Sequence, residues 1–161
     1  LAEHFGSQAV VVSIEAKRVN GGWECYTDNG RNSTGNDGIL WAIEAVKRGA
    51  GELLITSVDR DGTRRGFDAA LIAAIAPNVP VPVTASGGCG SLEHLRSVLV
   101  DGKADAVAVA SMLHYGKTSF AEMREAVSGL RHSFTLLPCP SASVAEVAST
   151  EQRPKTVRNG S

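Results

Sequence analysis

The chain has 161 residues, enough for one domain with a sizeable core. Its 16 basic and 17 acidic residues leave a net charge of −1, so there is no electrostatic footprint for nucleic acid. Mean hydropathy is −0.03, no apolar run approaches the ~18 residues of a membrane span, and the first residues lack the basic-then-apolar order of a secretory signal.

The chain opens without Met, on Leu1-Ala2-Glu3-His4-Phe5, which reads as the end of a helix, so it is expected to begin inside a longer structure. Residues 9–14 form an apolar run that predicts a buried strand ending at Glu15. Residues 23–27 and 31–34 flank Asp28-Asn29-Gly30, and Asn-Gly predicts a hairpin, so a small β-ribbon should project after the first strand. Asp37 can cap a helix whose apolar residues Ile39, Leu40, Ile43 and Val46 share one face, with Gly49 just past its end. A second buried strand covers 52–57, and a short helix covers 69–76, capped by Asp68 and stopped by Pro77-Asn78-Val79-Pro80. A third strand at 81–85 breaks into Ser86-Gly87-Gly88-Cys89-Gly90. Ser91 caps the next helix, with Leu92, Leu95, Val98 and Leu99 as its apolar face. A fourth strand is expected at 106–110, a single helical turn at 111–115 and a last helix at 119–130. From Arg131 the chain turns polar and loses periodicity. Residues 1–130 thus read as the domain and 131–161 as a tail, disordered from about residue 141.

Four strand–loop–helix repeats imply a parallel sheet with right-handed crossovers. Two architectures compete: an open doubly wound sheet, or half of an eight-stranded barrel, since a whole barrel needs roughly 250 residues. In either, the strand-end loops meet at one mouth. They offer Glu15, then Thr56 with Asp59 and Asp61-Gly62-Thr63, then Ser86-Gly87-Gly88, then Ala110-Ser111. The stretch from Leu53 to Asp68, an apolar strand broken abruptly by acids and glycine, is its centre. The last two loops run into helix starts, whose free N–H groups attract anions, which points to a phosphate; glycines that merely make tight turns are the bland alternative. Glu15 is the acid–base candidate, with an ion pair to Lys17 or Arg18 as the alternative. His94 and His114 read as surface or supporting groups, and Trp23, Tyr26 and Trp41 as packing. Cys89 has no local histidine to make it a nucleophile. Cys25, Cys89 and Cys139 are odd in number and lack metal-ligand spacing, which reads as reduced thiols in a cytoplasmic protein with no metal and no cofactor.

Several motifs in this order resemble one family. Phe5-Gly6-Ser7-Gln8-Ala9-Val10-Val11-Val12, Lys47-Arg48-Gly49-Ala50-Gly51-Glu52, Ser57-Val58-Asp59-Arg60-Asp61-Gly62-Thr63, Ala85-Ser86-Gly87-Gly88 and Ser91-Leu92-Glu93-His94 resemble the cyclase subunit of imidazole glycerol phosphate synthase. The likeness covers residues 1–130 and implies the C-terminal half of a (β/α)8 barrel, with the ribbon as an insertion after its first strand. That family takes ammonia from a glutaminase partner and adds it to a bis-phosphorylated aminoimidazole carboxamide nucleotide. It releases imidazole glycerol phosphate and aminoimidazole carboxamide ribotide for histidine and purine synthesis.

By resemblance, Asp61, Gly62, Gly88, Ala110 and Ser111 bind one substrate phosphate. Thr56, Ser86 and Gly87 line the mouth, and Glu52 belongs to the ammonia gate. The family's general acid–base aspartate of this half falls on Glu15, one methylene longer. Its second aspartate and other phosphate site belong to the first half, which is absent here, so the chain alone is expected to be inactive. The resemblance implies three partners: a glutaminase, the first half of the barrel or a second copy of this half, and a small phosphorylated substrate. Related barrels that amidate a nucleotide sugar for surface polysaccharide share these motifs, and a non-catalytic phosphate-binding half-barrel is the remaining alternative.

Overall fold

The computed structural model of the protein describes residues 1–130. One helical turn, α1 (Ala2–Phe5), and a 3-10 turn at Ser7–Ala9 lead into β1 (Val11–Val19). The strand carries Glu15 at its centre, not at its end as the apolar run predicts. The cause is local. Asn20 and Gly21 adopt φ of 51° and 84°, the left-handed pair of a two-residue hairpin turn. This turn folds β2 (Gly22–Thr27) back on β1, and the pairs from Glu15↔Tyr26 to Val19↔Gly22 carry β1 past its apolar stretch. A second reversal at Asp28-Asn29-Gly30, with φ of 56°, 56° and 75°, leads to β3 (Asn32–Asp37). The expected ribbon is therefore a meander hung on β1.

Asp37 starts α2 (Gly38–Lys47), accepting the N–H groups of Ile39 and Leu40 at 2.9 Å each. Gly49, at φ 103°, ends it, and Ala50 N–H donates back to the Ala45 carbonyl at 3.1 Å. β4 (Glu52–Ser57) occupies its predicted range. Asp68 caps α3 (Ala69–Ile75), which runs into a 3-10 turn at Ala76–Asn78. β5 (Val83–Ser86) starts later than the apolar pattern, because Pro80 and Pro82 have no N–H to give a ladder. Ser91 caps α4 (Leu92–Val100). β6 (Ala106–Ala108) is shorter than expected, since Ala110, at φ −119° and ψ −58°, already turns into α5 (Ser111–His114). α6 (Phe120–Val127) starts at a capping box in which Ser119 and Glu122 each accept the other's backbone N–H. The tail at 131–161, including the segment read as disordered, lies outside the described residues.

The sheet order is β3-β2-β1-β4-β5-β6, with β1, β4, β5 and β6 mutually parallel. That order decides between the two architectures. A doubly wound sheet reverses direction at a switch point; here the four parallel strands follow chain order, as successive strands of a barrel do. Four βα units in this winding are half of a (β/α)8 barrel. Ile14, Ile55, Ala85 and Val107 lie in one row on the helix side, where Leu71, Ile75, Leu95 and Val98 cover them. Each fully buried Leu or Ile contributes about 1.5–3 kcal/mol. The opposite face carries Val11, 54 % exposed, and a row of Glu15, Thr56, Ser86 and Ala108. It is the face that a closed barrel turns inward.

Candidate functional site

Two loops at the C-terminal ends of β4 and β5 are locked together. The Ser57 carbonyl accepts the N–H groups of Arg60 at 3.2 Å and Asp61 at 2.9 Å, which bends Asp61 back over the strand end. Gly66 N–H donates to the Gly88 carbonyl at 2.7 Å. Gly87 and Gly88 adopt φ of 87° and 95°. A Cβ on Gly88 would collide with the Gly66 carbonyl, and one on Gly87 would lie 3.0 Å from the Ser57 carbonyl oxygen. Glycine at these positions therefore serves close backbone approach as well as a turn.

Beneath this junction is a cavity of about 170 Å3 lined by Asp61, Ser86, Gly87, Gly88, Ala110 and Ser111, with Cys89 in its wall. Sites that engulf a drug-sized ligand run to ~300–1,000 Å3; this one suits a single end group. Ser111 opens α5, whose first N–H groups have no earlier carbonyl of the helix to meet. With four residues, α5 offers those donors and little macrodipole. Cys89 gives its thiol to the Met112 sulfur at 3.3 Å, and burial pushes it up to about 11, so at neutral pH it is an uncharged thiol.

The remaining sequence-predicted residues lie elsewhere. Gly62 N–H turns to the Asp61 carboxylate at 3.1 Å, and Gly62 itself does not line the cavity. Thr56 sits one strand from Ser86 on the same row, outside the cavity. Glu15 is on that row two strands from Ser86, about 10 Å away. Its Oε2 accepts Gly30 N–H at 2.9 Å from the ribbon tip, and Oε1 has no hydrogen-bond partner among the described residues. No ion pair joins Glu15 to its neighbours among those residues: the Lys17 ammonium stands 5.3 Å over the Tyr26 ring, and the Arg18 guanidinium 4.7 Å over Trp23. Asp59 accepts the Arg18 backbone N–H at 2.8 Å, so its carboxylate ties the far end of β1 to the β4 loop. Glu52 lies at the opposite end of the sheet, where its Oε1 accepts the Thr84 hydroxyl at 2.7 Å. Among the described residues no three His, Cys, Asp or Glu gather as a metal site.

Three contributors escaped the sequence reading. The Asn20-Gly21 turn carries the same dipeptide signal as Asn29-Gly30 and was legible. Gly66 locks the two loops, and Gly30 supplies the donor on Glu15; only their partners, 22 and 15 positions away, reveal those roles.

Residues 1–119 match the family described as histidine biosynthesis protein. The chain is 51% identical over 127 residues to the imidazole glycerol phosphate synthase subunit HisF of Nostoc sp., covering 76% of this chain and 49% of that protein. The same-named subunit of Microcystis aeruginosa is 50% identical over 127 residues, covering 76% and 50%. That of Thermosynechococcus vestitus is 48% identical over 129 residues, covering 76% and 46%. The chain spans about half the length of the curated relatives it matches. With its four barrel-type βα units and this likeness along their length, the chain belongs to the histidine biosynthesis protein family.

Proposed function

We propose that the chain supplies the C-terminal half of an imidazole glycerol phosphate synthase cyclase. Its part is to hold one phosphate of the bis-phosphorylated aminoimidazole carboxamide nucleotide and to move protons as ammonia closes the imidazole ring. The observation that carries this is the cavity under the Ser86-Gly87-Gly88 loop, opening at the same end of the sheet as the carboxylate of Glu15. Asp61, Gly62, Gly88, Ala110 and Ser111 are the phosphate residues of this reading. Gly62 acts by shaping the turn that presents Asp61. Thr56, Ser86 and Gly87 line the approach.

Ring closure needs a proton given and a proton taken at separate points, which one carboxylate serves poorly. Glu15 is one of the two groups, with Gly30 N–H orienting its Oε2 and leaving Oε1 for the substrate. The other carboxylate and the second phosphate site come from a first half of the barrel. Glu52, at the far end of β4, faces the side from which a glutaminase would deliver ammonia, and Thr84 fixes its carboxylate there. The products of this reaction also separate it from sugar amidation, which releases no imidazole glycerol phosphate.

The test is reconstitution. Alone, with ammonium salts, the chain should give no measurable imidazole glycerol phosphate. Co-expressed with a family first half it should gain activity. Glu15→Gln should then lose roughly 10²–10⁴-fold, the usual contribution of a general acid–base group. Glu15→Asp should keep or raise the rate, since aspartate is the family's residue there. A reconstituted rate untouched by Glu15→Gln removes Glu15 from the chemistry.

A further inference from the structure

His94 is not part of the cavity wall, yet it is joined to the loop that forms it. Gly90 N–H donates to its Nδ1 at 3.1 Å. A backbone amide can only donate, so Nδ1 must hold a lone pair, and the ring proton of the neutral form sits on Nε2. The same ring packs against Gly66: a Cβ there would stand 3.3 Å from His94 Cδ2. Gly66 is the residue whose N–H holds the Gly88 carbonyl at 2.7 Å. One imidazole therefore braces both loops, taking the Gly90 N–H on one side and backing the Gly66 tie on the other.

We propose that His94 is a positioning residue for the anion site: as a neutral imidazole it anchors Gly90 and so fixes the Gly87-Gly88 backbone, and oxyanion affinity rises as the ring loses its proton. This rests on the phosphate reading of the cavity above. Protonated on Nδ1, the ring would present an N–H to an N–H, and the anchor is lost. Two charged groups adjoin the ring. Arg65 lies across a small cavity from it. Glu93 precedes it on the same helix; that carboxyl is held below its usual range chiefly by its own backbone N–H, then by Ser91. The other residues facing the ring there, Phe67, Ala69, Ser97 and Val98, carry no charge. The Arg64 guanidinium is engaged elsewhere, 4.8 Å over the Tyr115 ring. His114, the last residue of α5, does not line the cavity; its ring stands edge-on to Tyr115, with centroids 5.1 Å apart.

The probe is inorganic sulfate, whose charge is constant over the range in which histidine titrates, about pH 5 to 8. It is titrated into the full chain at fixed ionic strength while amide shifts of Gly88, Gly90 and Ser111 are recorded. In the wild type, affinity should fall roughly threefold to tenfold from pH 8 to 5, the range set by one lost neutral hydrogen bond. Without sulfate, the Gly90 amide should titrate together with the His94 ring. His94→Asn keeps an acceptor oxygen in place of Nδ1 and should bind with the wild-type affinity of pH 8 and a flat profile. His94→Leu should be weaker by the same factor at every pH. A Gly90 amide blind to the ring's titration, or a His94→Asn profile that still falls with acid, overturns this inference alone. Wild-type protein that binds no sulfate at pH 8, with Gly88 and Ser111 unmoved, overturns the anion-site reading itself. Should His94→Leu fail to fold, the wild-type and His94→Asn profiles decide between these outcomes.

Discussion

Gly88 is the position where one methyl group would cost the site most. Its φ of 95° is outside the range of an L side chain, and the Gly66 carbonyl fills the space a Cβ would need. Gly88→Ala should therefore cost about 1–3 kcal/mol of stability from backbone strain. It should also break the 2.7 Å Gly66–Gly88 hydrogen bond and abolish sulfate binding at Ser111, read by thermal denaturation and amide shifts. An alanine variant that binds sulfate like the wild type would mean the loop does not shape the cavity. At this scale the sequence was legible wherever residue type alone states a role. Ser86-Gly87-Gly88 and Ser111 after two strand ends announce backbone donors. It was silent where a role depends on a distant partner. Nothing in Arg65-Gly66-Phe67 says that Gly66 meets Gly88, and nothing in Glu93-His94 says that the ring faces back toward Gly90.

Among the elements, the ribbon and α3 share one residue. Asp68, nearly buried, caps α3 by accepting Leu71 N–H at 3.1 Å through Oδ1, while its Oδ2 accepts the Trp23 indole N–H at 3.1 Å. Asp68→Ala removes both. The cap alone is worth about 1–2 kcal/mol, and the indole N–H is left without its acceptor. The expected result is a lower urea midpoint together with a changed Trp23 environment by fluorescence in a Trp41→Phe background. Loss of stability with Trp23 unmoved would show that the ribbon docks without this bond. The cap was readable from Asp68 before an apolar helix; its second duty was not, because Trp23 lies 45 residues away. Boundaries failed for similar reasons. β1 outruns its apolar pattern because β2 extends it, and β5 and β6 are cut short by prolines and by the turn into α5.

For the molecule as a whole, the half-barrel winding was legible in the βα alternation, and the strand order settled it against the doubly wound alternative. The two ends of the parallel sheet differ. The β1 edge is free only over its first residues, since β2 pairs from Glu15 onward; the β6 edge has no strand beyond it among the described residues. Val11 on one side and Leu113, Tyr115 and Phe120 near the other are exposed. Uncovered edges beside apolar surface favour association. Sedimentation at micromolar concentration should thus find the chain as a dimer or larger species, and mixing with a family first half should replace it by a mixed pair. A stable monomer would mark the open sheet as self-sufficient.

The ribbon sets a limit on any such closure. By taking β1 from Glu15 to Val19, it leaves an incoming strand a berth of about four residues, some 13 Å long. β6 brings only three, Ala106–Ala108. Such a seam would be shorter than the six-pair ladder joining β1 to β4. In a ring built from these edges the seam is the mechanical weak link, and halves would trade partners there while each half stays folded.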